Sequence, residues 1–117
     1  MKPQDMASPF LYQPSPRFLH CAAQVGEKAY IWGGHTQDVS ASGRKSLASE
    51  IEIFDVFSET WKTRTATGAP PPGLYAGACS VVSETLYHFG GVDDHSWCNN
   101  LHCLDTRLLD WRLVFLY

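Results

Sequence analysis

The sequence has few positive charges and no long hydrophobic run. Nine Lys and Arg against twelve Asp and Glu give a net charge of −3 and a pI near 5.9. Binding to nucleic acid or to an anionic membrane requires clustered cations, so this composition argues against both. The chain also lacks an apolar stretch of about 18 residues, as a spanning helix needs, and a signal-peptide core near its N-terminus. We therefore expect an intracellular protein, cytoplasmic first and nuclear as the alternative.

Sequence motifs of the common enzyme classes are missing as well. There is no Gly-x-Ser-x-Gly nucleophile elbow, no Gly-x-x-x-x-Gly-Lys-Ser/Thr phosphate loop and no Gly-x-Gly-x-x-Gly dinucleotide motif. The nearest candidate, Gly43-Arg44-Lys45-Ser46, lacks the first glycine of a phosphate loop and is typical of a solvated loop. The sequence thus predicts that the protein is not an enzyme and uses no cofactor.

The chain contains one pattern that occurs twice. Ala29-Tyr30-Ile31-Trp32-Gly33-Gly34 returns 57 positions later as Leu86-Tyr87-His88-Phe89-Gly90-Gly91. A second shared block follows each copy: Glu52-Ile53-Phe54-Asp55 with Trp61, then His102-Cys103-Leu104-Asp105 with Trp111. The Asp precedes the Trp by six residues in both, whereas the Gly pair lies 21 residues before the first Asp and 14 before the second. We infer two units of one kind that differ in the length of a loop.

This doubled pattern resembles the kelch repeat, which forms one four-stranded blade of a β-propeller. The resemblance covers about residues 17 to 113. It implies an all-β fold made of two kelch-type four-stranded antiparallel blades, an incomplete β-propeller. Propellers close at about four to eight blades, so two blades would leave two sheet faces open. We therefore expect missing additional blades or a homo-oligomer.

The residues themselves support four strands in each unit. Apolar and aromatic side chains alternate through Ala29–Trp32 and Leu86–Phe89, as in strands packed on both faces. Each is preceded by a small-residue strand, Cys21–Val25 or Ala78–Val82, and followed by an Ile- or Leu-containing strand and a strand that begins near a Trp. The glycine pairs end the aromatic strands, because residues without Cβ can adopt positive φ.

The domain organisation follows from this pattern. Residues 1–16 form a Pro-rich leader or linker, 17–62 the first kelch repeat, 63–73 the link between blades and 74–117 the second repeat. The insertion His35–Ser49 in the first repeat is predicted to be a loop. For the leader, an added edge strand at Phe10-Leu11-Tyr12 stays open as an alternative. The apolar end Arg112–Tyr117 departs from the pattern of the first unit and suits a truncated chain or an altered gene end.

The cysteines and one His-rich segment need separate interpretations. Cys21 and Cys79 align with alanines of the other unit, so we expect free thiols that act as small core residues rather than disulfides. Zinc-like spacing occurs once, in a group comprising Asp93, Asp94, His95, Cys98, His102 and Cys103. Adjacent strand residues such as His102 and Cys103 point to opposite faces and cannot converge on one ion. We predict an ordinary loop and strand there, with no metal site.

Residues that recur in both units are assigned to structure. Large aromatic side chains in a propeller fill the spaces between neighbouring sheets, which also accounts for Trp32 and Phe89. The structural repeat residues are Tyr30, Gly33, Gly34, Trp61, Tyr87, Gly90, Gly91 and Trp111.

Function is expected where the two copies differ, because loops carry most binding residues. The resemblance implies that the loops after the Gly pairs and the link between blades lie on one rim and contact partners. Arg and Trp dominate binding hot spots, and charges add selectivity. The candidate partner-binding residues are Arg44, Lys45, Pro71, Asp93, Asp94, His95 and Trp97. We predict a noncatalytic protein–protein interaction module that binds another protein or a peptide.

A narrower resemblance concerns three segments, Tyr30-Ile31-Trp32-Gly33-Gly34, Thr60-Trp61-Lys62 and Thr67-Gly68-Ala69-Pro70-Pro71-Pro72. These segments are similar to the opening blades of the kelch-domain-containing protein 2 group. The resemblance implies that this chain is a fragment of a substrate receptor of cullin-RING ubiquitin ligases. The peptide-reading residues of that group lie in later blades, and no cullin-box segment is visible in this sequence. Two alternatives stay open: a partial propeller that self-assembles from several copies, and a fragment of a kelch-like enzyme.

Overall fold

The computed structural model of the chain describes residues 11–40, 43–45, 47–72, 75–93 and 95–114. All regular structure in these ranges is β-strand, so nothing helical there could serve as a membrane span. The strands are β1 (Arg17–Phe18), β2 (Cys21–Val25), β3 (Lys28–Trp32), β4 (His35–Ser40), β5 (Gly43–Lys45), β6 (Glu50–Asp55), β7 (Thr60–Thr65), β8 (Thr67–Gly68), β9 (Ala78–Val82), β10 (Thr85–Phe89), β11 (Leu101–Asp105) and β12 (Asp110–Val114).

Eight of these strands form two four-stranded antiparallel blades, and this confirms the predicted fold class. The first blade has the order β2-β3-β6-β7 and the second the order β9-β10-β11-β12. The two small-residue strands, β2 and β9, have the bounds that the sequence predicted. Regular alternation over five or six residues depends only on neighbouring residues, so the strands that it predicts form in the folded chain with the same bounds.

The backbone repeats as closely as the sequence does. Ten of the eleven described positions with positive φ form matched pairs, and Gly68 in the link is the exception. The turns of the two blades therefore have the same geometry. The pairs are Leu19 with Ala76 (60° and 65°), Gly26 with Ser83 (60° and 57°), Gly33 with Gly90 (73° and 73°), Gly34 with Gly91 (91° and 97°), and Glu59 with Leu109 (57° and 52°).

A short parallel strand ties the first blade to the second. After β7 the chain crosses over, and β8 pairs with β12, the outer strand of the second blade. The amide of Thr67 donates to the Leu109 carbonyl at 2.9 Å, and its hydroxyl donates to the Asp110 carboxylate at 2.7 Å. The link between the blades is therefore part of the second sheet as well as a connection.

The core lies between the blades and is centred on two tryptophans. Trp32 is fully buried and Trp111 is 1% exposed, and their rings meet edge to face at 5.8 Å. The Trp111 indole donates to the Ala48 carbonyl at 2.9 Å. Because Trp32 and Tyr30 alternate with Ile31 along β3, the face that carries Tyr30 and Trp32 is the one turned towards the second blade. The other fully buried large side chains are Ile51, Leu86 and Leu104.

Equivalent positions differ where one blade has no neighbour. Phe89 occupies the place of Trp32 in the repeat, yet it is 50% exposed, because the face of the second blade that carries it is open. Its expected core position is therefore a surface position in this structure. Tyr87 on the same face, and Trp61 on the outer face of the first blade, are half-buried, in contrast to their counterparts Tyr30 and Trp111.

Part of the leader packs on the outer face of the first blade. Glu52 is only 7% exposed, and it accepts hydrogen bonds from the Tyr12 hydroxyl at 2.8 and 2.9 Å and from the Thr63 hydroxyl at 2.8 Å. The Arg17 guanidinium lies 3.6 Å away and neutralises this buried carboxylate. Burial also raises the pKa of Tyr12. Of the edge strand proposed for the leader, Leu11 and Tyr12 are not in a strand, and Phe10 lies outside the described residues.

Candidate functional site

A small rim sheet is built from the segments that flank the Gly pairs. In the first unit, β1 pairs with β4, with Phe18 opposite His35, and β4 pairs with β5. The segment predicted as a loop thus contains two strands. In the second unit, Tyr75 bridges to Val92, and Val92 bridges to Trp97. Tyr75 and Val92 lie 57 residues after Phe18 and His35, so the two units contribute equivalent residue pairs to the rim.

Stacked rings join the two halves of the rim. The rings of Phe18 and His35 stack at 5.5 Å with an interplanar angle of 16°, and the His35 ring lies 5.4 Å from that of Tyr75. The amide of Ala76 also donates to the carbonyl of Leu19 at 2.9 Å, from one unit to the other. Phe18 is 61% exposed, so this stack reaches the surface. We call the set Phe18, His35, Tyr75 and Trp97 the aromatic rim.

Trp97 is the most exposed large hydrophobic side chain among the described residues, at 87%. It follows a turn that Asp93 holds in place, because the Asp93 carboxylate accepts hydrogen bonds from the amides of His95 and Ser96, both at 2.8 Å. The amide of Cys98 donates a hydrogen bond of 2.9 Å to the Gly91 carbonyl, and this bond closes the loop. A large aromatic ring is therefore presented to solvent on a fixed turn.

The predicted partner-binding residues fall in different places. Arg44 and Lys45 lie in β5, at the edge of the rim sheet, while His95 and Trp97 are exposed in the equivalent part of the second unit. Asp93 accepts two hydrogen bonds from amides of its own turn, and Asp94 lies outside the described residues. Pro71 is buried, so its ring is not part of the exposed rim.

Three residues of the aromatic rim were missed from the sequence. Phe18, His35 and Tyr75 were not singled out, although Phe18 and Tyr75 stand at the same distance before the two Gly pairs. That shared offset of 57 was the available signal. It was overlooked because both residues lie in short segments without alternation, where a pattern of period two has no room to develop.

Burial favours the neutral forms of two titratable side chains between the blades, Cys21 and His102. Burial raises the pKa of the Cys21 thiol to about 12, with the nearby Cys79 as a smaller cause, so this thiol stays protonated and is a poor nucleophile. Burial also lowers the pKa of His102, which faces the first blade beside His88. Cys103 lies opposite Tyr87 and faces the other way. Within the described ranges, no three or more His, Cys, Asp or Glu residues are grouped as metal ligands would be.

Comparisons with known proteins agree with this architecture. The model of the KLHDC2/KLHL20/DRC7 Kelch-repeats domain matches residues 7–115. Kelch domain-containing protein 3 of Bos taurus is 27% identical over 86% of this chain and 25% of its own length, and Kelch domain-containing protein 1 of Mus musculus is 31% identical over 78% and 22%. The tRNA wybutosine-synthesizing protein 2/3/4 of Arabidopsis thaliana is 26% identical over 86% of this chain and 10% of its own length. The chain thus spans a quarter or less of the length of these relatives.

Proposed function

Because this chain belongs to the kelch-repeat family, we propose that it is a noncatalytic interaction module that binds a protein or peptide through the aromatic rim. The observation that carries this proposal is Trp97, 87% exposed on a turn that Asp93 fixes. A rigid, exposed aromatic ring gains much buried area on binding and loses little conformational entropy. Phe18 supplies a second exposed ring in the other unit.

The test is selection of random peptides displayed on phage against the immobilised chain, followed by measurement of Kd for the enriched peptides. We expect Trp97→Ala and Phe18→Ala to weaken binding by about tenfold or more, as loss of a hot-spot residue does. Leu108→Ala is the matched control, because Leu108 is 72% exposed on the β11–β12 turn at the other end of the blade. Failure to enrich any peptide, or equal losses in all three variants, would contradict the proposal.

A narrower form of the proposal is that this chain provides two blades of a ubiquitin-ligase substrate receptor. Its support is the match to the KLHDC2/KLHL20/DRC7 family model and the resemblance to the kelch-domain-containing protein 2 group. The test is co-purification with cullin subunits from cells, with the Trp97→Ala variant in parallel. Absence of cullin from both preparations would count against this form and leave the binding role of the rim intact.

Some of the relatives are named as enzymes, and we propose a binding role for the part that they share with this chain. The chain matches 10% of the length of the tRNA wybutosine-synthesizing protein, and in this chain the matched residues form kelch blades. A catalytic role for this chain would be supported if purified protein turned over a substrate of such an enzyme.

A second candidate function is head-to-tail association of copies. It is favoured by the two outer faces: Phe89 is half exposed at the position of Trp32, and Trp61 is half-buried at the position of Trp111. One copy could therefore pack on the next as the two blades pack within the chain, in a ring-forming heterologous contact. Mass measurement in solution tests this. Association should disappear in Phe89→Lys and persist in Phe57→Lys, whose side chain is 77% exposed on a turn, and a 13.1 kDa monomer at every concentration would rule it out.

A further inference from the structure

A groove runs between the two blades towards the end opposite the aromatic rim. Its volume is about 400 Å³, which lies within the range of ligand-binding clefts. One wall is the inward face of the first blade, with Lys28, Lys62 and Arg64, and the other is the β11–β12 turn with Thr106 and Arg107. We call this the basic groove. It exists only because the two blades are docked side by side.

The strand register explains why the cations line the groove. Arg64 pairs with Ile51 and Lys62 pairs with Ile53 across β6 and β7. Ile51 is fully buried between the blades, and directly paired residues share a face of the sheet. Lys62 and Arg64 therefore both point towards the second blade, two residues apart on one strand.

The charges of the groove are unbalanced. Its single lining carboxylate, Asp55, accepts hydrogen bonds from the amides of Phe57 and Ser58 at 2.9 and 3.2 Å. The Arg107 guanidinium lies 3.3 Å from the Glu84 carboxylate and 3.6 Å from that of Asp105. The pKa of Asp105 is lowered, first by the hydrogen bond that the Arg107 amide donates to it at 2.9 Å and then by the guanidinium.

Lys28, Lys62 and Arg64 form no ion pair with any residue of the described ranges. Three cations thus share one cleft in a chain whose net charge is −3. Like charges held together repel one another, and an anion placed among them gains attraction from all three.

We propose that the basic groove binds an acidic, extended segment of a partner protein, separately from any partner on the aromatic rim. The hydroxyls of Ser58 and Thr60 line the groove 2.7 Å apart, so one of them can donate to a bound carboxylate. The Thr106 hydroxyl already donates to the Glu84 carbonyl at 2.7 Å, and Ile53 supplies an apolar contact for the peptide stem. A second cavity continues the groove and is lined by Glu27 and Glu84. This charge gradient orients the segment, with its acidic residues at Lys62 and Arg64 and a neutral or basic residue at the far end.

Binding of a labelled Glu- and Asp-rich peptide, followed by fluorescence anisotropy, tests this proposal. We expect the Lys62→Glu, Arg64→Glu double variant to weaken Kd by about tenfold or more, since attraction becomes repulsion. Raising the salt from about 0.05 to 0.3 M should weaken binding to the unmodified chain as well, because the charges are near the surface.

The repeat offers a matched control for the basic groove. Arg112 is the counterpart of Lys62, 50 residues later, but it lies on the outer face of the second blade, where none of the described residues forms a second wall. Arg112→Glu should leave peptide binding unchanged, as should Trp97→Ala on the rim. Equal weakening by Arg112→Glu, no binding by the unmodified chain, or tighter binding of a single-stranded RNA than of the peptide would each overturn the proposal.

Discussion

The indole nitrogen of Trp32 donates a hydrogen bond of 3.0 Å to Nδ1 of His88, across the interface between the blades. His88 is 2% exposed, and its Nε2 lies 3.2 Å from the Gly90 carbonyl, so the imidazole carries its proton on Nε2 and accepts through Nδ1. The first unit has Ile31 at the equivalent position. The second blade therefore contributes a polar group where the repeat pattern has an apolar one, and this group joins the two blades.

Replacing His88 by isoleucine, the residue of the first unit, should lower the free energy of unfolding by about 1 to 3 kcal/mol. The reason is that the buried indole N–H of Trp32 is left without an acceptor. A double-mutant cycle with Trp32→Phe, measured by urea denaturation and circular dichroism, should show a coupling energy of about 0.5 to 3 kcal/mol. Strictly additive effects would mean that the hydrogen bond contributes nothing.

The two equivalent tryptophans should differ in their contribution to stability. Trp111→Ala should cost about 3 to 5 kcal/mol, as a large-to-small change in a core, because Trp111 is 1% exposed and lies against Trp32. Trp61→Ala should cost less than half as much, since Trp61 is half-buried beside Phe54 on the outer face. Equal costs in denaturant titrations would show that the outer face is covered as well as the interface.

Alanine at Gly34 should destabilise the first blade far more than alanine at Gly26. A Cβ at Gly34 would lie 2.8 Å from the His20 Cβ and 2.9 Å from the Phe18 carbonyl oxygen, at a φ of +91°. At Gly26 the Cβ would meet nothing, so only the cost of positive φ applies, about 1 to 2 kcal/mol. We expect Gly34→Ala to exceed that value in unfolding experiments and to weaken binding at the rim. Similar costs for the two variants would contradict the close approach.

Stability should fall as the pH drops below about 6.5, because burial lowers the pKa of His102 in the folded chain. As the pH falls, the unfolded chain binds a proton at His102 before the folded chain does. The free energy of unfolding therefore has its full value above about pH 6.5 and declines until the pH reaches the folded-state pKa of His102. His102→Gln should flatten this slope, whereas the exposed His95→Gln variant should keep it. Identical slopes in both variants, measured by thermal unfolding, would show that His102 does not contribute.

The blade strands could be predicted because their signal is local. Alternation through Ala29–Trp32 and the glycines after it depend on a few neighbouring residues. The pairing of β8 with β12 could not be predicted, since it joins two residues of no particular pattern to a strand 43 positions later. The alternation placed His88 in a packed strand, but its hydrogen bond with the Trp32 indole could not be predicted, because it joins residues of two different blades.

The candidate site was predictable in part for the same reason. Exposure of Trp97 and His95 follows from their place in a loop between two clear strands. The stack of Phe18, His35 and Tyr75 arises only when the two units lie side by side. Exposure of Phe89 likewise depends on whether another sheet covers it, and this is a property of the assembly rather than of the segment.

The parallel pairing of β8 has a consequence for synthesis on the ribosome. Thr67 leaves the peptidyl-transfer centre 43 residues before its partner Asp110, which at about 5 to 20 residues per second is a delay of roughly 2 to 9 seconds. During that time the amides of Thr67 and Ala69 have no carbonyls from Leu109 and Trp111 to bind. Nascent chains halted before Asp110 should therefore be cut by protease in the link that contains β8. Chains extended past Val114 and clear of the exit tunnel should resist cleavage there.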